Sequence, residues 1–269
     1  MFKSGYINLI GEVNTGKSSI INKLINKKIL IVSGRKGSTI SRILCILNNK
    51  NYQIIFSDVP GFFNNKKIKF YIKESLLDSD ILLYIVIPSY KEKINKYKKS
   101  IINYINKNKI FTYLIINKID IYTKKKIKFT ENFWKKQINK IKIFKISVKN
   151  NININYLLNN IIKDLKTNIR FFKQNILTNK SNNFIINEYI RESIFLYLRD
   201  EIPYNIYIKS NIILFNIKYI YIKTFFFFKK KSYNNIILNN INKIYYKSIK
   251  LLNLFFNKKI FLKIKLLNY

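Results

Sequence analysis

A glycine-rich segment near the start of the chain has the residue types and the spacing of a phosphate-binding loop. It reads Gly11-Glu12-Val13-Asn14-Thr15-Gly16-Lys17-Ser18 and matches the pattern G-x-x-x-x-G-K-[ST]. The backbone amides of such a loop point inward, and the N-terminus of the following helix adds partial positive charge, so phosphate oxygens bind there. All six glycines lie within the first 61 residues, and two occupy the required loop positions, which argues against a plain turn.

The side chains of this loop predict separate roles around a bound nucleotide. We expect Lys17 to contact the β- and γ-phosphates and to support catalysis, and Ser18 to ligate Mg²⁺. The predicted nucleotide-binding residues of the segment are Gly11, Asn14, Thr15, Gly16, Lys17, Ser18 and Ser19.

A second motif, Asp58-Val59-Pro60-Gly61, directly follows an apolar run. A carboxylate at the C-terminal end of a strand can hold Mg²⁺, and the amide of Gly61 can sense the γ-phosphate. In isolation the tetrapeptide would fit a Pro-Gly turn equally well. Its position after the phosphate loop favours function, so we predict Asp58 as a metal ligand and nucleotide contact and Gly61 as a catalytic and nucleotide-binding position.

The third motif, Asn117-Lys118-Ile119-Asp120, predicts selection of guanine, because an aspartate can accept two N–H groups from that base. Ile-Asn-Lys occurs seven times in the chain, but only this copy has Asp two residues after its Lys. Asp is rare here, with six in all. We therefore predict that Asn117, Lys118 and Asp120 bind nucleotide. Ser147, Val148 and Lys149 are weaker candidates, which could present backbone to the guanine oxygen or simply end a strand.

Apolar runs that alternate with amphipathic stretches must position these motifs. The runs predict strands at Tyr6–Ile10, Ile43–Leu47, Tyr52–Ser57, Ile81–Ile87, Phe111–Ile116 and Ile141–Ile146. Helical patterns lie at Lys17–Asn26, Lys67–Leu77, Lys91–Asn106, Asn132–Lys140 and Ile154–Lys166. This alternation predicts an α/β domain with a mainly parallel sheet over residues 1–167.

The pattern changes after a polar linker, which we place at residues 168–183. Residues 184–269 predict an α+β domain in the order α-β-β-α-α-β. Its elements are a helix at Phe184–Leu198, strands at Asn205–Ile213 and Ile217–Phe226, a helical turn near Tyr233–Leu238, a helix near Ile241–Phe255 and a strand near Ile260–Leu267.

Composition limits the classes of function that the chain can have. There are 51 Lys and Arg against 13 Asp and Glu, a formal charge of +38, which favours a polyanionic partner such as RNA or a membrane surface. The abundance of Ile, Lys, Asn, Phe and Tyr also fits mutational drift toward AT-rich codons, which would raise Lys without any ligand. A single cysteine, Cys45, and no histidine exclude an intrachain disulfide, imidazole catalysis and most zinc sites. The longest apolar runs, such as Ile81–Pro88, are shorter than the ~18–20 residues that span a bilayer.

Together the motifs resemble the GTP-binding domain of the Era family of ribosome-assembly GTPases. The resemblance continues in the second half, where Ile186–Glu192 and Leu198–Tyr204 look like the start of that family's C-terminal type II KH domain. The corner Glu201-Ile202-Pro203-Tyr204 is the most specific part of this second region.

The resemblance implies a slow GTP hydrolase that uses GTP/GDP and Mg²⁺ and switches between two nucleotide states. Members of the family bind small-subunit ribosomal RNA near its 3′ end and assist maturation of the small ribosomal subunit. They are monomers that lie in the cytoplasm and associate peripherally with the inner face of the bacterial cell membrane. An asparagine at the position of Asn14 binds K⁺ in related GTPases, so we extend the expectation to K⁺.

The chain departs from the family pattern in the first switch region and from the pattern of some other GTPases in the second. The segment Gly34–Arg42 resembles the first switch, which usually carries two adjacent threonines. Here they read Thr39 and Ile40, and we predict Thr39 as a Mg²⁺ ligand and catalytic residue. Phe62 stands where some GTPases place a water-orienting glutamine, as is usual in this family, and implies slow turnover.

A third departure concerns RNA binding. The KH loop that holds the nucleic-acid backbone uses G-x-x-G, whereas the matching segment here is Leu238-Asn239-Asn240-Ile241. Side chains must then replace backbone contacts. The predicted RNA-binding residues are Asn239, Asn240, Lys243 and Lys247.

Two alternative functions remain open at this stage. A related GTPase of tRNA modification would carry a C-terminal cysteine motif, and the only cysteine here is Cys45. An RNA-binding assembly chaperone with a degenerate switch would bind GTP without hydrolysing it. The changes at Ile40 and Leu238–Ile241 keep this second alternative open.

Overall fold

Six strands in the first part of the chain form a mainly parallel sheet in the order β2-β3-β1-β4-β5-β6. The computed structural model describes residues 1–33, 35, 41–61, 66–92 and 94–268, without the side chains of 66–68. The strands of this sheet are β1 (Lys3–Gly11), β2 (Ile43–Asn48), β3 (Tyr52–Asp58), β4 (Ile81–Val86), β5 (Thr112–Ile116) and β6 (Lys142–Lys145). Only β2 runs antiparallel to its neighbour β3, so the predicted parallel α/β domain is confirmed.

In the described part of this unit, four helices connect strands and a fifth follows β6, and two of the five begin elsewhere than the sequence pattern predicts. They are α1 (Lys17–Ile25), α2 (Lys66–Leu77), α3 (Lys96–Lys107), α4 (Lys124–Lys135) and α5 (Ile154–Asp164). The prediction of α3 from Lys91 was too early, because the Asn95 side chain accepts the Lys98 amide and caps the helix at that point. The prediction of α4 at Asn132–Lys140 was shifted by about two turns.

The error in α4 has a local cause. The apolar residues Trp134 and Ile138 are both buried and suggested a helix through them, but Ile138 lies in a turn beyond the end of α4. The Thr123 side chain accepts the Lys126 amide and starts the helix instead. The buried Trp134 packs on Tyr84 of β4, with 4.8 Å between ring centroids, and so joins α4 to the sheet.

The chain divides into two compact units whose limits differ from the predicted domain boundaries. The first comprises Met1–Asn26 and Lys36–Asn179, and the second Lys27–Arg35 and Lys180–Tyr269. Most of the predicted linker therefore belongs to the first unit, and a short early segment belongs to the second. The assignment of function to the ranges 1–167 and 184–269 stays a prediction.

Hydrogen bonds account for the position of the predicted linker. The buried side chain of Gln53 on β3 accepts the amides of Phe171 and Phe172 at 2.9 Å and donates to the Phe172 carbonyl at 2.8 Å. Further along, the Ile46 amide donates to the Leu177 carbonyl at 2.8 Å. Backbone groups of the segment thus hold it against the edge of the sheet. The polarity of the segment alone does not predict these hydrogen bonds.

The second unit places a three-stranded sheet against two helices. Its elements are α6 (Asn182–Tyr197), β7 (Tyr207–Phe215), β8 (Tyr219–Phe228), α7 (Tyr233–Phe256) and β9 (Lys259–Asn268), with a 3₁₀ turn at Ile202–Tyr204. The sheet order is β7-β8-β9, with β7 and β8 antiparallel and β8 and β9 parallel. The early segment joins this unit through Lys28, whose ammonium lies 2.5 Å from Glu192 on α6.

One prediction for this unit was wrong. The helical turn near Tyr233–Leu238 and the helix near Ile241–Phe255 are a single helix of 24 residues, so the order is α-β-β-α-β. The segment Leu238–Ile241 contains neither Gly nor Pro to interrupt a helix. The buried stripe on α7 runs through Ile237 and Ile244 on either side of the segment, so packing supports helix across it.

No helix among the described residues is both long and apolar enough to cross a lipid bilayer.

Candidate nucleotide-binding site

The phosphate loop lies between β1 and α1, at the carboxyl end of the sheet. Gly16 precedes α1 with φ 97°, and among the described residues no side-chain hydrogen bond caps this helix N-terminus. A Cβ on Gly16 would lie 2.4 Å from the side-chain nitrogen of Asn117, so only glycine fits both the backbone and the space. The loop therefore presents the N-terminal amides of α1 to solvent, where phosphate oxygens can accept them.

Backbone carbonyls of the loop hold the Lys17 side chain inside it. Its ammonium donates to the carbonyls of Gly11 at 3.2 Å and Glu12 at 2.7 Å. Burial lowers the pKa of Lys17 to about 8, and the nearby carboxylates of Asp58 and Glu12 oppose this shift. A phosphate at the loop would supply the missing counter-charge, because an anion favours the protonated form of a buried amine.

The two described Mg²⁺-ligand candidates meet at the carboxyl end of the sheet. The hydroxyl of Ser18 at the start of α1 donates to the Asp58 carboxylate at 2.7 Å, and Asp58 ends β3 as a buried residue. A hydroxyl and a carboxylate are hard oxygen donors of the kind that Mg²⁺ prefers, so these residues fit the ion. The third candidate, Thr39, lies outside the described residues, as do Ile40 and Phe62.

Gly61 lies against the phosphate loop itself. A Cβ at this position would be 2.8 Å from both the Cα and the amide nitrogen of Val13. This close approach explains why glycine is needed after Pro60, and it brings the second motif next to the place where the outer phosphates would lie. The roles of Gly61 in catalysis and nucleotide binding stay predictions.

The guanine-selecting motif follows β5 and is tied to the phosphate loop. The buried Asn117 side chain donates to the Thr15 carbonyl at 2.8 Å, and the Lys118 ammonium donates to the Asn14 carbonyl at 2.9 Å. Asp120 lies two residues further along and is half-buried. The structure thus brings all three candidate residues of this motif to the same end of the sheet as the phosphate loop.

The segment after β6 completes this end of the site. The carbonyl of Ile146 accepts the amide of Ile119, 3.2 Å away, and joins the guanine-selecting motif to the next loop. Ser147 is buried, and its hydroxyl accepts the amide of Asn150 at 3.1 Å, which shapes the turn that carries Val148 and Lys149. Ser147 therefore has a structural role of its own, and its contact with nucleotide stays a prediction.

Asn117→Ala is expected to weaken GTP and GDP binding about 10-fold without changing base preference. The change removes the bond that holds the Thr15 carbonyl, and a buried hydrogen bond of this kind contributes about 1–1.5 kcal/mol. Isothermal titration with GTP, GDP and XTP measures both quantities. The exposed Asn150→Ala serves as the control, and a mutant with the parent's affinity would contradict a tethering role.

A charged pair beside the phosphate loop was not predicted from the sequence. Lys98 of α3 is buried, and its ammonium lies 2.5 Å from the carboxylate of Glu12. Both residues line a cavity of about 400 Å³ that Tyr84 and Glu92 also border. Burial raises the pKa of Glu92 against the opposing charge of Lys98. The rarity of acidic residues in the chain was the one signal that could have drawn attention to Glu12.

A phosphate loop, paired Mg²⁺-ligand candidates and a guanine-selecting motif at one end of a mainly parallel sheet define a P-loop GTPase. Residues 6–118 match the profile of the family described as 50S ribosome-binding GTPase. The chain is 30% identical over 211 residues to GTPase Era of Clostridium botulinum (strain Eklund 17B / Type B), covering 77% of this chain and 71% of the relative. It is 36% identical over 204 residues to GTPase Era of Buchnera aphidicola subsp. Acyrthosiphon pisum (strain Tuc7), covering 74% and 72%.

Solved structures extend this similarity over the second unit. An Era structure in complex with MgGDPNP and nucleotides 1506–1542 of 16S ribosomal RNA superposes with a TM-score of 0.86 and 25% identity, over 100% of this chain and 94% of that one. A variant of Aquifex aeolicus Era bound to GDP·AlF₄⁻ gives a TM-score of 0.85, also at 25% identity and with the same coverage. The chain belongs to the Era GTPase family, and its second unit has the KH-like α+β fold.

Proposed function

We propose that this GTPase binds small-subunit ribosomal RNA near its 3′ end and assists maturation of the small ribosomal subunit by switching between GTP and GDP. The observation that carries the proposal is the full-length match to an Era structure that holds both a GTP analogue with Mg²⁺ and a 16S ribosomal RNA fragment. The geometry of the phosphate loop and of the guanine-selecting motif supports the nucleotide half of the proposal.

The chain is a GTP hydrolase, and its own residues account for binding and orientation of the substrate. Lys17 and the amides of α1 would bind the phosphates, and Asp120 would accept N–H groups of the base. Ser18 and Asp58 would hold Mg²⁺, which would neutralise charge on the phosphates. Asn14, with φ 63° in the loop, is our candidate for a K⁺ contact. The reading of the chain as a non-hydrolysing chaperone is not favoured, because the matched structures include one with GDP·AlF₄⁻.

A turnover assay tests the proposal directly. We expect slow GTP hydrolysis by the protein alone and a changed rate when a small-subunit 3′-end RNA is added. No hydrolysis under either condition, together with tight RNA and GTP binding, would restore the chaperone alternative.

We propose that the second unit acts as a KH domain whose RNA contacts come from side chains of α7. Asn239, Lys243 and Lys247 are spaced four residues apart and so lie along one side of the helix, with Asn239 and Lys243 exposed. Asn240 instead turns its amide back to the Ile236 carbonyl at 3.0 Å. Because Leu238–Ile241 is helical, no loop backbone approaches RNA there, and electrostatic contacts from lysine take its place.

Lys243→Glu combined with Lys247→Glu should weaken binding to a small-subunit 3′-end RNA far more than Lys125→Glu combined with Lys126→Glu on α4. Each lost phosphate contact should also lower the salt dependence, the slope of log K against log salt, by roughly 0.7 for a single strand. Filter-binding titrations at several salt concentrations measure both effects. Equal losses from the two pairs would mean that the basic surface of the whole chain, and no dedicated site on α7, binds the RNA.

We further propose that the protein is a cytoplasmic monomer that touches the inner face of the cell membrane peripherally. The feature that supports membrane contact is the hairpin tip formed by the end of β7 and the turn to β8. There Ile213, Phe215 and Ile217 are 65%, 50% and 86% exposed, and Lys218 follows. Apolar side chains flanked by a cation suit the interface of an anionic bilayer. Flotation with phosphatidylcholine–phosphatidylglycerol vesicles should show binding that Ile217→Ser reduces, and sedimentation should give one chain per particle.

A further inference from the structure

The three-stranded sheet of the second unit has one face packed and one face open. Helices α6 and α7 pack on the side that carries Ile220, Ile222 and Phe226, all of which are buried. The opposite side carries alternate residues of the same strands. On β8 these include Tyr221, which is 44% exposed, and the half-buried Phe225.

The register of the strands arranges this open face in rows. Tyr221 of β8 lies beside Phe261 of β9, and the two rings stack with 4.6 Å between centroids and 12° between planes. One row further along β8, Lys223 lies beside Lys263. Rows on one face of a strand are about 7 Å apart.

The next rows repeat the combination of rings and lysines. Lys209 of β7 and Lys265 of β9 flank Phe225. Beyond them Tyr207, 62% exposed, packs against Phe227 with 5.9 Å between centroids. Every outward position of β8 from Tyr219 to Phe227 is therefore an aromatic residue or a lysine.

The lysines on this face hold their ammonium groups where an external anion can bind them. Lys223 lies over the ring of Phe225 at 5.2 Å and Lys259 over that of Phe261 at 5.2 Å, so the rings hold both ammonium groups at the surface. No Asp or Glu follows Glu201 in the sequence. The three strands thus present positive charge without an acidic residue among them.

We propose that this aromatic–lysine face, the outward side of β7, β8 and β9, is a second RNA-binding surface that takes single-stranded RNA by base stacking. Bases stack on exposed rings, and lysines between the rings bind the phosphates that connect those bases. Duplex RNA would use the lysines but not the rings. A lipid bilayer is the less suitable partner, because Tyr221 and Phe261 lie within strands and their rings stack on each other, whereas Ile217 lies between two strands.

The proposal rests on the RNA binding proposed above but assigns it a different place, on the side of the sheet opposite α7. Fluorescence anisotropy of the full chain with a fluorescein-labelled 12-nucleotide oligouridine tests it. Tyr221→Leu combined with Phe261→Leu keeps apolar bulk in the sheet and removes the stacked rings. We expect Kd to rise about 10-fold or more, as loss of base–aromatic stacking requires.

A matched pair controls for loss of exposed rings in general. Phe129→Leu combined with Tyr156→Leu removes one Phe and one Tyr, 44% and 62% exposed, from the first unit. This pair should bind the oligonucleotide like the parent. Unchanged circular dichroism and GTP affinity of both double variants will show that they are folded.

Two further measurements do not depend on the stability of the leucine variant. Lys263→Gln combined with Lys265→Gln should lower the salt slope of oligouridine binding by about 1.4, for two phosphate contacts on a single strand. With 5-iodouridine in the oligonucleotide, photocrosslinks of the parent chain should map to peptides of β8 and β9.

The outcomes separate this proposal from the proposed function. A parent chain that binds neither the oligouridine nor a small-subunit 3′-end RNA overturns both. Binding by the parent that neither the leucine pair nor the glutamine pair alters, with crosslinks confined to α7, overturns only the aromatic–lysine face. If the leucine pair or the glutamine pair lost binding to phosphatidylglycerol vesicles but kept RNA binding, the face would be a membrane surface. This result would also overturn the proposal.

Discussion

Replacement of Lys17 by alanine is expected to abolish detectable GTP and GDP binding while the first unit stays folded. The ammonium is the one cation placed inside the phosphate loop in the described part of the chain, where two loop carbonyls now hold it. Transfer of its N–H groups to phosphate oxygens makes charge-assisted hydrogen bonds of about 1.5–3 kcal/mol each. Loss of two such bonds corresponds to at least about 100-fold in Kd.

Folding should be nearly unaffected by this change. Burial of Lys17 lowers its pKa, so the charged side chain is itself destabilising in the nucleotide-free protein. We expect the free energy of unfolding to change by no more than ~1 kcal/mol. Calorimetric titration with GTP and GDP, together with urea unfolding, measures the two effects. Lys23→Ala, at an exposed position of the same helix, is the control, and equal affinities for Lys17→Ala and the parent would mean that the loop does not bind phosphate.

The second large effect is expected for Asp120→Asn, which should move nucleotide preference from GTP toward XTP. Guanine presents two N–H donors to the carboxylate, and the new amide would place a donor opposite one of them. Loss of a charge-assisted pair should cost about 1.5–3 kcal/mol for GTP, which is roughly 10- to 150-fold in affinity. Xanthine has an oxygen in place of the amino group, so the amide can donate to it.

Competition of GTP, XTP and ATP against a fluorescent GDP analogue will measure this switch. Asp200→Asn removes the same charge from an exposed position of the second unit and should leave selectivity unchanged. If Asp120→Asn keeps full preference for guanine, the motif at Asn117–Asp120 is only one more copy of the frequent Ile-Asn-Lys sequence.

The continuous helix α7 leaves no loop at Leu238–Ile241 that could bind RNA through its backbone. In a G-x-x-G loop the backbone itself approaches the nucleic acid, which requires residues without a Cβ. Here the corresponding segment, Leu238–Ile241, is helical, and its amide and carbonyl groups serve the helix. In the proposed RNA binding, the contacts would therefore come from side chains, from lysines along α7 and from the open face of the sheet.

The amino-acid sequence by itself determined the class of protein and the identity of its motifs. The phosphate loop could be read directly because its chemistry depends on contiguous residues: two glycines, a lysine and a serine at set spacing between a strand and a helix. The alternation of apolar runs and amphipathic stretches likewise predicts the parallel sheet, because the local pattern of apolar residues indicates which segments are buried strands. The start of α3 and the position of α4 were predicted wrongly, because side-chain caps compete with apolar periodicity.

Tertiary structure alone decided which distant residues meet. The bond from Asn117 to Thr15 joins positions 102 residues apart, and the bond from Ser18 to Asp58 joins positions 40 apart. The path of the chain in space also decides three other features. Lys98 pairs with Glu12, Gln53 forms hydrogen bonds with the predicted linker, and Lys27–Arg35 belongs to the second unit. Local propensity carries no information on such contacts, because their energy arises only after folding brings the partners together.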